Sequence, residues 1–260
     1  MIETALAKIK IILEEQVNRV NKIKEASTWI NYQTLDPLII GVCPGDGIGP
    51  EICAQAEFVL KELLHEETKA NRIQFKLIEG LTLENRVKNL TAIPTDVLDE
   101  IKSCHVILKG PTTTPQKGGA YPNIESANVA MRRELDLFAN VRPIRIPELC
   151  IDWCFFRENT EDLYTLGSRG FAVNSDLSID FRVISAPGTE RIARLAFEYA
   201  KNNQKKRVTV VTKSNVVKAT DGLFSEVAHN VAKEYEAFGI TLDEWYIDIM
   251  MAKLLDPARR

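Results

Sequence analysis

The chain has 260 residues, of which 45% are hydrophobic and 27% are charged, and its formal net charge at pH 7 is −3. These values are typical of a globular protein with one large domain or two modest ones, and they exclude a strongly basic nucleic-acid-binding protein. No apolar run approaches the ~20 residues of a membrane-spanning helix, and the N-terminus has no signal-peptide or transit-peptide pattern. Five cysteines without a Cys-x-x-Cys pair predict reduced thiols, which favours a cytoplasmic protein.

The first half of the sequence predicts alternating helices and strands. A helix over residues 1–27 carries apolar residues near heptad spacing, so it either packs within its own domain or forms an oligomer contact. After it, the sequence predicts a strand at 38–42, a helix at 50–67, a strand at 75–79, a helix at 95–103 and a strand at 106–108. This alternation indicates a parallel α/β sheet.

The second half continues the alternation and adds a hairpin. The predicted elements are a helix at 126–135, a segment through Arg142 and Pro143, a strand at 152–157, a hairpin at 171–185, a helix at 189–201, a strand at 207–212, a helix at 220–238, a strand at 242–247 and a helix at 248–255. The sequence shows no internal repeat.

A loop rich in hydroxyl groups, glycine and proline spans residues 109–119, directly after the strand at 106–108. Ligands of α/β proteins bind at the carboxyl ends of strands, so this loop is a candidate site. The next helix begins with Ser126 and Asn128 and carries Arg132. A positive helix end, a hydroxyl, an amide and a guanidinium together suit a carboxylate, although an N-cap serine with surface arginines also fits this pattern.

Later charged residues also follow predicted strands. Arg142 precedes a proline, and Arg157 ends an apolar strand beside two phenylalanines, where a buried ion would need a partner. Tyr164 is either a proton donor or a tyrosine at the edge of the core. Lys213 follows a buried strand and is a candidate base. Asp248 is either an N-cap or a metal ligand, and one carboxylate alone is a poor Mg²⁺ site.

Taken as a set, these motifs resemble the isocitrate/isopropylmalate dehydrogenase family over about residues 37–255. The Ser126-x-Asn128 pair is similar to the isocitrate branch of that family. The matching motifs, in chain order, are Gly45-Asp46-Gly47-Ile48-Gly49-Pro50-Glu51, Leu108-Lys109-Gly110-Pro111, Ser126-x-Asn128-x-x-x-Arg132, Val141-Arg142-Pro143, Phe156 to Tyr164 and Lys213-Ser214-Asn215.

The resemblance implies an α/β fold of the three-layer isopropylmalate-dehydrogenase type, C-terminally incomplete and with an N-terminal helical extension. The implied domains are the extension at 1–34, part of the large α/β domain at 35–137, and a small domain at 138–260. A dimer clasp would occupy about residues 163–186, around the predicted hairpin.

The implied reaction is the oxidation and decarboxylation of isocitrate, or of a similar 2-hydroxy acid such as homoisocitrate, with NAD or NADP and with Mg²⁺ or Mn²⁺. Isocitrate would give 2-oxoglutarate, a step of the tricarboxylic acid cycle. Tyr164 would protonate the carbanion and Lys213 would be the base, while Asp248 would bind the metal. In this family Lys213 and Asp248 would act across a dimer interface. The implied substrate ligands are Ser126, Asn128, Arg132, Arg142, Arg157 and Lys109, and the implied cofactor contacts are Thr114 and Asn215.

The chain departs from the family pattern after Leu255, because family members continue with two further metal-binding aspartates and an adenine-binding loop. Three readings follow from this difference: half of a split dehydrogenase completed by a second chain, a non-catalytic isocitrate-binding regulatory subunit, or an inactive relic. We expect homo- or hetero-oligomers with a chain that supplies the missing portion, and a purified chain that aggregates or self-associates because its sheet edge and apolar face lack cover. Nucleic acid and membrane are not expected partners.

Overall fold

A computed structural model of the chain describes residues 2–25, 30–116, 118–166 and 170–256. The chain divides into two compact units. The first comprises Thr28–Asp136, and the second comprises Met1–Ser27 together with Leu137–Arg260. Within the described ranges, no helix combines the length and the apolar character needed to cross a membrane.

The elements up to residue 136 alternate as the sequence predicts. They are α1 (Ile2–Glu25), β1 (Leu38–Cys43), α2 (Gly49–Leu63), α3 (His65–Lys69), β2 (Ile73–Leu77), α4 (Leu83–Lys88), α5 (Thr95–Lys102), β3 (Val106–Lys109) and α6 (Ala127–Glu134). The predicted α/β class is confirmed in this half of the chain, because its strands form a parallel sheet with helices between them.

The remaining elements, which belong to the second unit, are six strands and three α-helices among the described residues. They are β4 (Ala139–Ile146), β5 (Ile151–Glu158), β6 (Phe171–Ala172), β7 (Ser178–Ile179), α7 (Ala186–Asn202), β8 (Arg207–Thr212), α8 (Thr220–Lys233), β9 (Thr241–Tyr246) and α9 (Ile247–Lys253). The pairs β4–β5 and β6–β7 are antiparallel, whereas β8–β9 is parallel.

The parallel sheet of the Thr28–Asp136 unit has the strand order β2-β1-β3. The central strand β1 is a continuous apolar run, as expected of a strand covered on both faces. A β carbon at Gly41 would lie 2.8 Å from the side chain of Ile107 and 2.9 Å from that of Cys104, so both side chains would have to shift to admit it. The core beside the sheet brings together residues of β1, α5, α6 and the segment after β2, including Cys43, Ile78, Leu81, Val97, Ile101, Ala127 and Met131.

In the second unit, α7 lies between β7 and β8 in the chain and packs against α8, β5, β8 and the N-terminal helix α1. Phe197 of α7 is fully buried and stacks on Tyr235 with ring centroids 5.0 Å apart. The two alternatives for α1 were packing within a domain and an oligomer contact. The structure shows the first, because α1 contacts α7 and buries Ile12.

Several boundaries differ from the predicted ones. The helix predicted at 50–67 breaks at Leu64, whose backbone leaves the helical region, and α3 then begins. The helix predicted at 220–238 ends at Lys233 and is followed by a 3-10 turn, Glu236–Phe238, that stops at the left-handed Gly239. The segment predicted through Arg142 and Pro143 is the full strand β4, which tolerates a proline because it pairs on one side only, with β5. The short helix α4 was not predicted.

Candidate substrate site

Lys109 ends strand β3 at the edge of the sheet where the sequence predicts a ligand site. Its Nζ donates to the carbonyl oxygen of Gly110 at 2.8 Å and to Oγ1 of Thr112 at 3.1 Å. Burial lowers the pKa of Lys109. Thr114, a predicted cofactor contact, lies exposed in the following loop. The loop after β3 therefore presents a desolvated cation and an exposed hydroxyl, which are suitable contacts for an anion.

Two buried or bridging charges hold this loop in place. The carboxylate of Asp46 accepts hydrogen bonds from the backbone N–H groups of Leu83 and Thr113, each at 2.7 Å. The fully buried guanidinium of Arg86 donates to the carbonyls of Ala92, Thr113 and Glu125, at 2.8, 2.8 and 3.0 Å respectively. Both side chains fix Thr113, next to Thr114.

Sequence reasoning missed Asp46 and Arg86 as supports of the site. Asp46 had a signal, because it lies in the Gly-Asp-Gly turn that carries part of the family resemblance. Arg86 had none, because one arginine among the polar residues of α4 looks like a surface charge until the backbone carbonyls around it are known.

Ser126 occupies the N-cap position of α6 with an extended backbone, but its side chain makes no capping hydrogen bond. Ser126, Asn128 and Arg132 are all half-buried. The neighbouring Arg133 is exposed and pairs with Glu125 at 2.9 and 3.0 Å. Arg133 thus forms an ion pair at the surface, whereas the hydroxyl of Ser126 does not cap the helix.

In the second unit, Arg157 and Tyr164 contact each other. Nη1 of Arg157 lies 3.4 Å from the Tyr164 hydroxyl, and its guanidinium lies 5.3 Å from the centre of the tyrosine ring. Nη2 donates to Oδ1 of Asn159 at 3.2 Å. The expectation that Arg157 is a buried ion was wrong, because its side chain is exposed at the end of β5. The partners that these contacts supply are neutral. Arg142 lies on β4, exposed and opposite Phe155.

The segment between Arg157 and Tyr164 is folded around two carboxylates. Glu158 accepts hydrogen bonds from the backbone N–H and the hydroxyl of Thr160, at 2.8 and 2.7 Å, and burial raises its pKa. Glu161 is fully buried and pairs with Arg19 of α1 at 2.7 Å. It also accepts hydrogen bonds from the backbone N–H and the hydroxyl of Ser185, the N-cap of α7. The residues that lead to Tyr164 are therefore anchored to two helices.

Lys213 and Asp248 are brought together, with Nζ of Lys213 donating to Oδ1 of Asp248 at 2.6 Å. This hydrogen bond holds the pKa of Asp248 below its usual value. The backbone N–H of Lys213 donates to the buried Asp221 at 2.6 Å, and Asn215 lies exposed two residues later. The prediction that Asp248 opens the last helix was wrong by one residue, because α9 begins at Ile247 and the N-cap is Tyr246.

A family model described as isocitrate/isopropylmalate dehydrogenase matches residues 39–259. The chain belongs to this family. Its relatives include the homoisocitrate dehydrogenase of Methanocaldococcus jannaschii, 37% identical over 231 residues, which cover 82% of this chain and 62% of that protein. Another is regulatory subunit 3 of the mitochondrial NAD isocitrate dehydrogenase of Arabidopsis thaliana, 37% identical over 218 residues, which cover 82% of this chain and 54% of that protein.

Solved structures agree with the family assignment. The isocitrate dehydrogenase of Methylococcus capsulatus superposes with a TM-score of 0.69 at 34% identity, covering 85% of this chain and 64% of that one. The predicted fold family is thereby confirmed. The chain spans less than two thirds of the length of each of these three relatives.

The dehydrogenase family implies a divalent metal, which needs several oxygen ligands close together. Across the described ranges, no three histidine, cysteine, aspartate or glutamate side chains lie close enough to hold a metal ion. Asp248, the predicted ligand, is engaged by Lys213. One carboxylate is too few for Mg²⁺, which binds through carboxylates together with other oxygen ligands. The described residues therefore do not fit a complete metal site.

Proposed function

We propose that this chain is a subunit or half of an NAD(P)-dependent isocitrate dehydrogenase that needs a second chain to complete its cofactor and metal sites. The observation that carries the proposal is the pairing of Arg157 with Tyr164 in a segment held by buried carboxylates. A guanidinium beside a phenol combines a carboxylate ligand with a proton donor, which is what a decarboxylating enzyme of this family requires.

The proposed substrate is a small acid with several carboxylates. Tyr164 and Asn159, which Arg157 contacts, are neutral, so a substrate carboxylate would supply the charge that these two residues do not. Arg142 and the partly buried cations Lys109 and Arg132 would add further donors. The remaining proposed ligands are the hydroxyl of Ser126 and the amide of Asn128.

The proposed reaction assigns one proton to each of two residues. Lys213 would take the proton of the substrate hydroxyl, and Tyr164 would protonate the carbon from which a carboxylate has left as carbon dioxide. An ammonium that donates to a carboxylate cannot accept a proton, so Lys213 would act as a base only after its ion pair with Asp248 separates and its own proton is released. A bound nicotinamide would supply the acceptor for the hydride from the substrate, with Thr114 and Asn215 as its proposed contacts.

Calorimetric titration of the chain with isocitrate tests the substrate part of the proposal. We expect Arg157→Met to weaken binding at least about tenfold, because one charge-assisted hydrogen bond contributes roughly 1.5–3 kcal/mol. The matched control is Arg145→Met, which removes an exposed arginine from β4, the strand paired with β5. Equal affinities of the Arg157→Met variant and the unmodified chain would refute the assigned role. A parallel titration with homoisocitrate decides between the two acids.

A second candidate function is a regulatory subunit that binds isocitrate without turning it over. It is favoured by the similarity to the Arabidopsis regulatory subunit and by the incomplete metal site. Formation of NADH or NADPH from isocitrate and Mn²⁺, by the chain alone and with a candidate companion chain, separates the two functions. Turnover that disappears with Lys213→Met supports the catalytic role, whereas isocitrate binding without turnover in every mixture supports the regulatory one.

A further inference from the structure

Arg182 lies between two carboxylates that belong to different parts of the second unit. Its Nε lies 2.6 Å from Oδ1 of Asp162, and its Nη2 donates to Oδ2 of the same residue at 3.3 Å. Its Nη1 lies 2.9 Å from Oδ1 of Asp221. One edge of the planar guanidinium thus faces Asp162 while its remaining nitrogen faces Asp221, an arrangement that the single point charge of a lysine does not reproduce.

Asp162 is the point from which the chain turns towards Tyr164, two residues later. Its backbone N–H donates to the carbonyl of Val183 at 2.8 Å, and its own carbonyl accepts a hydrogen bond from the Thr165 hydroxyl at 3.1 Å. Its φ of 60° lies in the left-handed region, which is uncommon for a residue with a side chain and persists where surrounding contacts hold it. The contact with Arg182 is one of these, so it helps to fix the start of the turn that carries Tyr164.

Asp221 connects Arg182 to the backbone of Lys213. Its side chain is only 4% exposed, and its two oxygens have different partners. Oδ1 faces Arg182, whereas Oδ2 accepts a hydrogen bond from the backbone N–H of Lys213 at 2.6 Å. A buried carboxylate is strongly destabilising without a cation beside it. The position of Lys213 in its loop therefore depends on a carboxylate whose cation is Arg182.

Arg157 and Arg182 both line one cavity of about 670 Å³ together with Lys213, but the two arginines have different partners. The residues that Arg157 contacts, Tyr164 and Asn159, are neutral. Arg182 instead contacts two carboxylates, which offset its charge. Arg182 therefore suits the positioning of protein segments, whereas Arg157 retains a charge for a ligand.

We propose that Arg182 is a positioning residue that holds the segment carrying Tyr164 and the loop carrying Lys213 in a fixed relation to each other. The inference deepens the proposed function, because the roles of Tyr164 and Lys213 in proton transfer rest on it. The link consists of ionic contacts from Asp162 through Arg182 to Asp221 and of the hydrogen bond from there to the backbone of Lys213. A displacement of either segment by a ligand is thereby passed to the other.

Amide hydrogen exchange of the intact chain tests this link without a ligand. Arg182→Lys keeps the charge but loses the fork, so we expect the amide of Lys213 to exchange at least about tenfold faster, the effect of losing one charge-assisted hydrogen bond. The matched control is Arg194→Lys, which should leave that amide unchanged. Arg194 also joins two carboxylates, with contacts to Glu190 at 2.9 Å and to Glu234 at 2.6 Å. Full rescue by Arg182→Lys would reduce Arg182 to a counter-charge and refute the proposal.

Asp162→Asn tests the same link from its other end, and it also serves where Arg182→Lys fails to fold. Asparagine is accepted in the left-handed region, so the change removes the charge and keeps the backbone. We expect the amide of Lys213 to exchange at least about threefold faster in this variant, with no further rise when the change is made in the Arg182→Lys chain. An unchanged Lys213 amide in Asp162→Asn, or additive effects of the two changes, would refute the link.

Isocitrate gives the functional readout on the same samples. At saturating isocitrate we expect the Lys213 amide of the unmodified chain to exchange at least about tenfold more slowly than without it. The Arg182→Lys chain should lose most of this protection although its site is also saturated, and equal protection in the two chains would leave Arg182 with a structural role only. Absence of isocitrate binding by the unmodified chain would refute the proposed function and the catalytic role of the link, whereas unchanged exchange without ligand would refute the link itself.

Discussion

Arg86 is the largest fully buried side chain among the described residues, and it supports a site loop without touching a ligand. Its three carbonyl partners belong to Ala92, Thr113 and Glu125. Burial lowers the pKa of Arg86, and the nearby carboxylate of Asp46 opposes that shift. The guanidinium of Arg86 thus bridges the loop after β3 and Glu125, the residue before Ser126. The conformation of the loop depends on these hydrogen bonds.

Replacing Arg86 with methionine should destabilise the chain by at least about 3 kcal/mol, because three buried carbonyls lose their charged donor. Urea unfolding followed by circular dichroism measures the effect. The control is Arg72→Met, which removes an exposed arginine whose ion pair with Glu67 is 3.3 Å long and should cost less than about 1 kcal/mol. Similar losses for the two variants would show that the carbonyl contacts of Arg86 contribute little.

The ion pair of Lys213 and Asp248 gives a prediction about protonation. The hydrogen bond from Lys213 is the largest cause of the lowered pKa of Asp248, and backbone hydrogen bonds add to it. We expect Lys213→Met to raise the pKa of Asp248 part of the way towards 3.8, its ordinary value. A carbon-detected NMR titration of the carboxylate measures this, with Lys218→Met, an exposed lysine, as the control.

The sign of the corresponding stability effect follows from proton linkage. A carboxylate with a lowered folded-state pKa stabilises the protein above its unfolded-state pKa, and this contribution disappears as the pH falls through the folded-state value. Lys213→Met should therefore reduce the difference in stability between neutral and acidic pH. An unchanged pKa of Asp248 in the variant would mean that the ion pair does not persist in solution.

Among the elements, the N-terminal helix α1 is joined to the predicted catalytic segment through Arg19. Its Nη2 lies 2.7 Å from the carboxylate of Glu161, whose side chain is 1% exposed. A buried carboxylate without a cation is strongly destabilising. The helix therefore contributes a charge to the segment that carries Tyr164, in addition to its packing on α7.

Arg19→Gln should destabilise the chain by about 3 kcal/mol, because it leaves the charge of Glu161 without its partner. The loss of stability caused by Arg19→Gln should be smaller in a chain that also carries Glu161→Gln, because the buried carboxylate is then absent. Urea unfolding of the two single variants and the double variant gives the coupling between the residues. Lys22→Gln, an exposed change on the same helix, serves as control. Additive losses would exclude a direct ionic contact.

The sequence predicted the elements well where one periodic pattern decides them. The apolar run of β1, the amphipathic α7 and the hairpin of β6 and β7 follow from local signals. It failed for α4, whose short length gives little periodicity, and for β4, because the segment through Arg142 and Pro143 carried no strand prediction.

The candidate site was predictable only in part, because some of its contacts depend on distant residues. Motifs located Arg157, Tyr164 and Lys213, but no local pattern pairs Arg19 with Glu161 across 142 positions. The roles assigned to all the predicted site residues stay predictions, and those of Arg142, Thr114 and Asn215 concern side chains that are exposed. Local sequence patterns identify candidate catalytic residues more readily than they identify the distant residues that hold those side chains in position.

On the scale of the whole molecule, helix α2 leaves an apolar stripe uncovered. Ile48, Ile52, Val59 and Leu63, spaced by four, seven and four residues, lie on one side of the helix and are 48–74% exposed. Contiguous exposed apolar surface of this kind favours association between molecules. The stripe gives a structural reason for the expected self-association of the purified chain.

Light scattering across a wide range of concentrations should show an apparent mass above the 29.3 kDa of one chain. Val59→Glu places a charge in the middle of the stripe and should shift the distribution towards the monomer, because association would then bury that carboxylate without a partner. Ala54→Glu adds the same charge at an exposed position of α2 away from the stripe, so it should leave the distribution unchanged. A monomeric unmodified chain at every concentration would refute self-association, and equal effects of the two glutamates would assign it to net charge rather than to the stripe.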